Sequence, residues 1–314
     1  MLTLSRIGAA ARRRAELSPW TNVYGLARTL LALATIGTLT ASPLDVLFDP
    51  YGRPCRGVGS LGLFCLVPED HLGFARAAAV AVLVVVASGW RPRLTALPHW
   101  WLTFSLQVST VVPDGGDQIA SVVTLLLLPV ALNDPRRWHW QAPAPSGGSR
   151  SLVASLVAWS AVLVIRLQVA GLYFQASVSK LGREEWADGT ALYYWLSDPQ
   201  FGAPSWMSAV LDPVLRDPLG VTALTWGPLV IEFAIALGLV VGRRAWPYFL
   251  AGGVALHLGI AVLMGLTSFA TTMIACLVLH LRPVERPFAS PYRPAVWLPR
   301  GFLGAVGTKA ARVS

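Results

Sequence analysis

Charge is scarce in this chain. Only 13% of its 314 residues are Asp, Glu, Lys or Arg, about half the share that covers the surface of a soluble domain. That excludes an ordinary cytosolic enzyme, a charged coiled coil and a disordered segment. Lysine is scarcer still: Lys180 and Lys309 are the only two among 25 basic residues. Cysteine is limited to three, which excludes a secreted disulfide scaffold. No repeat of 20–50 residues recurs, and no inverted pattern of broken spans marks a secondary transporter.

What is abundant is apolar sequence, 54% of the chain, with a mean hydropathy of +0.57. Runs approaching the ~20 residues that cross a bilayer recur from end to end. The pattern predicts an all-α, polytopic membrane bundle of eight spans, near 22–42, 72–89, 94–111, 118–134, 151–180, 221–241, 246–266 and 267–281. The first run follows an arginine cluster as a signal peptide would, but it is too long and lacks a small-residue cleavage site, so it reads as an uncleaved span. Residues 1–281 form the membrane domain, 141–150 (QAPAPSGGSR) an internal linker, and 282–314 a basic, Pro-rich cytoplasmic tail.

The net charge of +9 is topological. With both termini cytoplasmic, seventeen of the 25 basic residues fall on the inner side and twelve of the sixteen acids in outer loops, the positive-inside bias. A nucleic-acid partner is therefore not expected.

Ionisable groups within spans carry the most information, because a charge in hydrocarbon costs at least ~2.5 kcal/mol. Arg28 and Arg76 lie near span ends and read as snorkelling side chains. Arg166, Glu232 and His257 fall near the middles of the fifth, sixth and seventh spans. Arg166 and Glu232 have opposite charge at similar expected depth, so an ion pair between them is expected, structural or part of a proton relay. His257 reads as a packing histidine or a member of that relay. No second His or Cys sits at ligand spacing, so no metal site is expected.

The fifth span, SLVASLVAWSAVLVIRLQVAGLYFQASVSKL, is polar on two faces. Arg166, Tyr173 and Lys180 recur every seven residues and share a stripe with Ser177. Gln168 and Gln175 lie on another face, so the helix belongs inside the bundle, lining a cavity. Lys180 is either a snorkelling lysine or a group chosen because, unlike arginine, it can lose its proton and act as a base. Cys55 and Cys65 share the first outer loop, CRGVGSLGLFC, and read as a structural disulfide rather than a redox pair, whose spacing would be CxxC. Cys276 reads as a small packing residue.

The segment YFQASVSKLGREEWADGTALYYWL resembles the central motif of the HTTM family, the membrane domain shared with vitamin K-dependent gamma-carboxylase. NVYGLARTLLAL, the paired cysteines, DGGDQ with TLLLLPVALND, WGPLVIEF and HLGIAVLMGLTSFATTMIA are similar, in order, to the sporulation-delaying protein B-like branch of that family. The resemblance implies a multi-pass protein of the bacterial cytoplasmic membrane. It also implies Lys180 as a catalytic base toward a reduced quinone of the vitamin K hydroquinone kind. Asp117 falls where the carboxylase has a histidine, and a counterpart of its large lumenal domain is absent, so gamma-glutamyl carboxylation itself is not expected. Implied partners are a secreted, toxin-like peptide precursor and a small protein resembling sporulation-delaying protein A. The implied function is maturation of that peptide, with a non-catalytic membrane scaffold and a quinone-linked thiol oxidase using Cys55 and Cys65 as alternatives. On this reading Asp117 and Lys180 reach one outer cavity, above Arg166, Glu232, His257 and Tyr173. Trp186, Tyr193 and Tyr194 form an interfacial belt or a re-entrant cover.

Overall fold

A computed structural model describes residues 4–48, 54–111, 114–142, 149–199 and 202–289. Most of the expected linker and the tail beyond Ala289 lie outside the described residues. Every regular element among the described residues is helical. In chain order these are α1 (Leu4–Ala15), α2 (Asn22–Ala41), α3 (Leu44–Leu47), α4 (Leu63–Leu66), α5 (Leu72–Ser88), α6 (Pro92–Ser109) and α7 (Gly115–Leu132). They continue with α8 (Ser149–Leu181), α9 (Glu184–Ala187), α10 (Ala191–Ser197), α11 (Ser208–Arg216), α12 (Pro218–Ala236), α13 (Trp246–Met264) and α14 (Thr267–Leu281).

Local chemistry sets the helix ends. Thr21 caps α2 by accepting from the Val23 N–H, and Asp114 caps α7 by accepting from Gly116. Asp217 caps α12 from Gly220, with Pro218 in the first turn where its missing N–H costs nothing. Gly89 ends α5 and Gly265 ends α13, both at positive φ, the conformation glycine adopts most easily.

Among the described residues, six helices are long and apolar enough to cross a membrane: α2, α5 with the turn before it, α7, α8, α12 with the turn after it, and α13. The expected count of eight is not reached by that measure. α6 carries Arg93, His99 and Gln107 and is not among the six, while α14 is apolar but short. The brevity of α14 has a physical reason: it is wrapped by α2, α7, α8 and α13, and Ala270, Thr272, Met273 and every residue from Ala275 to Leu281 are buried. By contrast, only 11% of the α13 window is buried although its mean hydropathy is 1.7. An apolar helix turned outward on this scale requires lipid around it, so the chain is a membrane protein.

Two cores hold the bundle. The larger lies among α2, α7, α8 and α14, and the smaller among α2, α5 and α6 with Leu47, Phe48 and Phe64 from the segment that closes one end. There Phe48 stacks on Phe64 with ring centroids 4.5 Å apart, and the Cys55–Cys65 disulfide ties the same segment. Exchanging both cysteines for serine is expected to remove about 2–4 kcal/mol, the entropy of a short closed loop. Thermal unfolding of the purified protein with and without the bridge checks it.

The first residues after Leu281 pack back on the bundle. Val284 is buried, its carbonyl accepts from the Thr21 hydroxyl, and Phe288 N–H donates to Asn22 Oδ1 at 2.8 Å. Glu285 joins α1 to the α12–α13 turn through Arg14 at 3.2 Å and Arg243 at 2.6 Å. Burial alone would raise its carboxyl pKa. Its own backbone N–H, the Arg243 hydrogen bond and the two positive charges outweigh that and hold it below the ordinary range.

The turn after α7 plugs the same end. His139 is fully buried in the clefts beside Gly25 and Gly89, where an added Cβ would lie 2.9 Å from its ring at Gly25 and closer still at Gly89. Burial, then the charges of Arg28 and Arg136, push its pKa well below the usual value. The folded protein therefore leaves it neutral while the unfolded chain takes up a proton below about pH 6.5, so stability contributed at this site is lost as pH falls through that value. The ring nitrogens of isotope-labelled His139 are expected to keep neutral-imidazole NMR shifts at pH 5.

Candidate functional site: a polar layer between α8, α12 and α13

α8 is 33 residues long, about 50 Å at the helical rise and longer than a bilayer core. Its first half packs on α1: Ser155 Oγ donates to the Ala15 carbonyl and Trp159 Nε1 to that of Leu17. Arg166 therefore does not reach mid-span. Its guanidinium stacks on Trp246, the first residue of α13, at 4.3 Å from the ring centroid. The expected Arg166–Glu232 pair is not the one that forms.

Lys180 takes that place instead. Its ammonium donates to Glu232 Oε1 at 2.6 Å, with side-chain exposures of 27% for Lys180 and 10% for Glu232. Lys180 lies about 21 Å along α8 from Arg166, and α12 runs antiparallel to α8, which brings Glu232 within reach of the lysine stem. The indole of Trp186 lies 5.0 Å from the same ammonium. α9 and α10 hold Trp186 there by docking on α12: Trp226 Nε1 donates to the Trp186 carbonyl at 3.1 Å, and Leu192 N–H to Thr225 Oγ1 at 3.1 Å. Tyr193 and Tyr194 point outward and are exposed.

One turn pair below Lys180 on the same stripe, the Tyr173 hydroxyl and His257 Nε2 share a hydrogen bond of 2.7 Å, both residues buried. His257 meets the Phe269 ring edge-on at 5.7 Å. Phe269 lies against Gly116, where a Cβ would come within 2.8 Å of its Cα, so only glycine lets α7 and α14 approach this closely. Next to Gly116 is Asp117, buried, accepting from Thr38 Oγ1 at 3.2 Å. Asp117 and Lys180 thus face different partners, α2 and α12, with His257 and Phe269 between them. Two groups in this layer have unused capacity: Glu232 Oε2 and His257 Nδ1 are buried with no hydrogen-bond partner.

The other face of α8 lines a cavity of about 750 Å³ with α7 and α14. Gln118, Gln168 and Gln175 supply its polar groups, and Ile119, Leu172, Met273 and Cys276 much of its apolar wall. Gln175 is about 140° around α8 from Lys180, so the lysine is not at this cavity.

Sequence reasoning missed a second buried polar cluster. Arg28 is 1% exposed and donates to Thr95 Oγ1 at 2.7 Å rather than snorkelling. His99, Asp134, Arg136 and His139 are buried around the same end. The run ALNDPRRWHW, dense in polar groups directly after an apolar helix, was the available signal.

These features define a helical membrane protein with an ion-paired polar layer inside the bundle. Compared with known proteins, the chain is 38% identical over 304 residues to YitO of Bacillus subtilis (strain 168), covering 94% of this chain and 96% of that one. It is also 34% identical over 273 residues to the sporulation-delaying protein SdpB of the same organism, covering 86% and 84%. The chain belongs to the family that contains SdpB and YitO. No family model matches it, and no solved structure does.

Proposed function

We propose that this chain acts in a sporulation-delaying toxin pathway of the kind named for SdpB, as a maturation factor for a secreted peptide in the bacterial cytoplasmic membrane. A small protein resembling sporulation-delaying protein A is its partner. The observation that carries the site is the part-buried Lys180–Glu232 pair, whose Glu232 Oε2 has no hydrogen-bond partner. A carboxylate with an open acceptor position next to a fixed ammonium suits a peptide amide or terminus. The lateral cavity adds three amide side chains in an apolar wall, which matches a hydrophobic peptide whose backbone groups need partners in lipid.

The wider HTTM, carboxylase-like reading, with Lys180 as base toward a reduced quinone, fits less well. Lys180 Nζ is engaged by Glu232 at 2.6 Å rather than open to a substrate, and it lies away from the 750 Å³ cavity between α7, α8 and α14. Lys180 is therefore assigned as a fixed cation, and Asp117 as a positioning group at the start of α7. Lys180→Arg, which keeps the charge but cannot act as a base, is expected to retain most peptide maturation, while Lys180→Ala loses it. Mass spectrometry of the cognate peptide at matched membrane levels reads both. Loss with Arg as complete as with Ala, in protein that still folds, restores the base. The topology belongs to the same reading: both termini inside and 181–219 outside. Single cysteines placed in 202–217 are expected to react with an impermeant thiol reagent in whole cells, and cysteines at the exposed positions Arg137 and Arg243 are not.

A further inference from the structure

The end of the bundle opposite Lys180 holds a second cavity, of about 380 Å³, between the α12–α13 turn and the residues that follow α14. Arg243, Arg244, Arg282 and Arg286 line it, and no acid does. Glu285 lies beside it and engages Arg243 and Arg14, which leaves a surplus of positive charge. A basic rim by itself is the ordinary inner-leaflet bias. What departs from that bias lies behind the rim.

Trp246, 5% exposed, lines the cavity and its indole N–H has no hydrogen-bond partner. Arg282 Nε, on the wall, and Arg166 Nε, on the guanidinium stacked over Trp246, are also buried without one. Three buried donors without acceptors at one end of the bundle, two of them on residues that line this cavity, are costly, because each gave up water on folding. The group that would complete them is an acceptor-only anion with several oxygens. The cavity is also amphipathic: Pro247, Leu250 and Leu281 complete its wall, and Val240 and Tyr248 on the adjoining backbone are 80% and 78% exposed. A free phosphate has no use for that apolar surface, whereas a headgroup carrying acyl chains does.

We propose that this cavity is a binding site for the phosphodiester of an anionic phospholipid, its oxygens accepting from Trp246, Arg282 and the rim arginines, and its acyl chains leaving along α13. Guanidinium forks match phosphate oxygens in pairs, and such pockets between spans and basic turns bind acidic headgroups. The site is separate from the Lys180 layer and does not depend on the pathway assigned above.

The test uses the full chain in nanodiscs of equimolar phosphatidylglycerol and phosphatidylcholine, released into detergent, with co-purified lipid counted by native mass spectrometry. Phosphatidylglycerol is expected to be retained over phosphatidylcholine by about tenfold, because both bring the phosphodiester but choline also brings a cation up against the rim arginines. Arg244→Gln with Arg286→Gln, both at exposed positions, brings the ratio to near one. Trp246→Phe keeps an aromatic ring under Arg166 but removes the N–H together with part of the buried indole, so its lipid-free melting temperature is expected to fall as well. At equal amounts of folded protein it is expected to lower retention severalfold. Equal retention of the two lipids by the wild type overturns the proposal, as does an undiminished preference in both variants. Displacement of phosphatidylglycerol by an equal concentration of soluble glycerol phosphate overturns the lipid assignment in favour of a free phosphate.

Discussion

Lys180→Met is expected to destabilise the protein by about 1–3 kcal/mol, the cost of leaving the deeper member of a part-buried ion pair unsatisfied, and Glu232→Gln by distinctly less. The asymmetry follows from exposure. Glu232 is the deeper partner at 10% against 27%, and its Oε2 already lacks a hydrogen bond, so without the ammonium the whole carboxylate charge is left in the bundle. Lys180, without Glu232, still has the Trp186 face at 5.0 Å and a flexible stem that can carry the charge outward. The double variant Lys180→Met/Glu232→Gln removes both charges and is expected to recover most of the loss, since an apolar or neutral pair of similar volume is often as stable as the ions it replaces. Melting temperatures in detergent for the two singles and the double close the cycle. Additive losses would mean that the contact is incidental. Peptide maturation by the refolded double then separates a structural clamp, which keeps activity, from a binding site, which does not.

Helix placement was legible in the sequence and side-chain pairing was not. The apolar runs predict spans at 72–89, 246–266 and 267–281, and the helices found are Leu72–Ser88, Trp246–Met264 and Thr267–Leu281, because an apolar run and its caps are local properties. The Arg166 misplacement arises from depth. A 33-residue helix read as one crossing puts Arg166 at its centre, but contacts of Ser155 and Trp159 with the end of α1 shift the crossing toward Lys180. Nothing within α8 announces α1 as a neighbour. Arg28 shows the same limit: its acceptor, Thr95, is 67 positions away, so only the fold distinguishes a buried arginine from a snorkelling one. The two faces of α8 were legible, because seven-residue spacing is a property of the helix alone. Gln168 and Gln175 line the lateral cavity while Tyr173 and Lys180 face α12 and α13.

Asp134→Ala is expected to be the most damaging change outside the spans. Asp134 and Arg136 form a two-armed pair, Nε to Oδ1 at 2.9 Å and Nη2 to Oδ2 at 2.8 Å, with side-chain exposures of 0% and 2%. The geometry is the fork that makes arginine–carboxylate contacts strong. Arg136 uses its remaining donors on backbone, giving Nη1 to the carbonyls of His139 at 2.8 Å and Gln141 at 2.9 Å, with Nη2 near that of Thr21 at 3.5 Å. One guanidinium thus folds the turn after α7 and fastens it to the start of α2. Without the carboxylate, that guanidinium is a buried charge with no counter-ion, at a cost of about 3–5 kcal/mol. It can escape only by releasing the carbonyls, which withdraws His139 from between Gly25 and Gly89. Asp134→Asn keeps one acceptor and the shape, so its cost should be about half as large. Arg243→Ala is the control: that pair with Glu285 is 47% exposed on the arginine side and should cost under about 1 kcal/mol. The measurement is the detergent-solubilised yield and melting temperature of the three variants, with limited proteolysis mapped between residues 133 and 142. Cleavage there in Asp134→Ala, absent from the wild type and from Arg243→Ala, locates the failure in this turn. A melting temperature for Asp134→Ala equal to that of Arg243→Ala would show that the pair holds nothing.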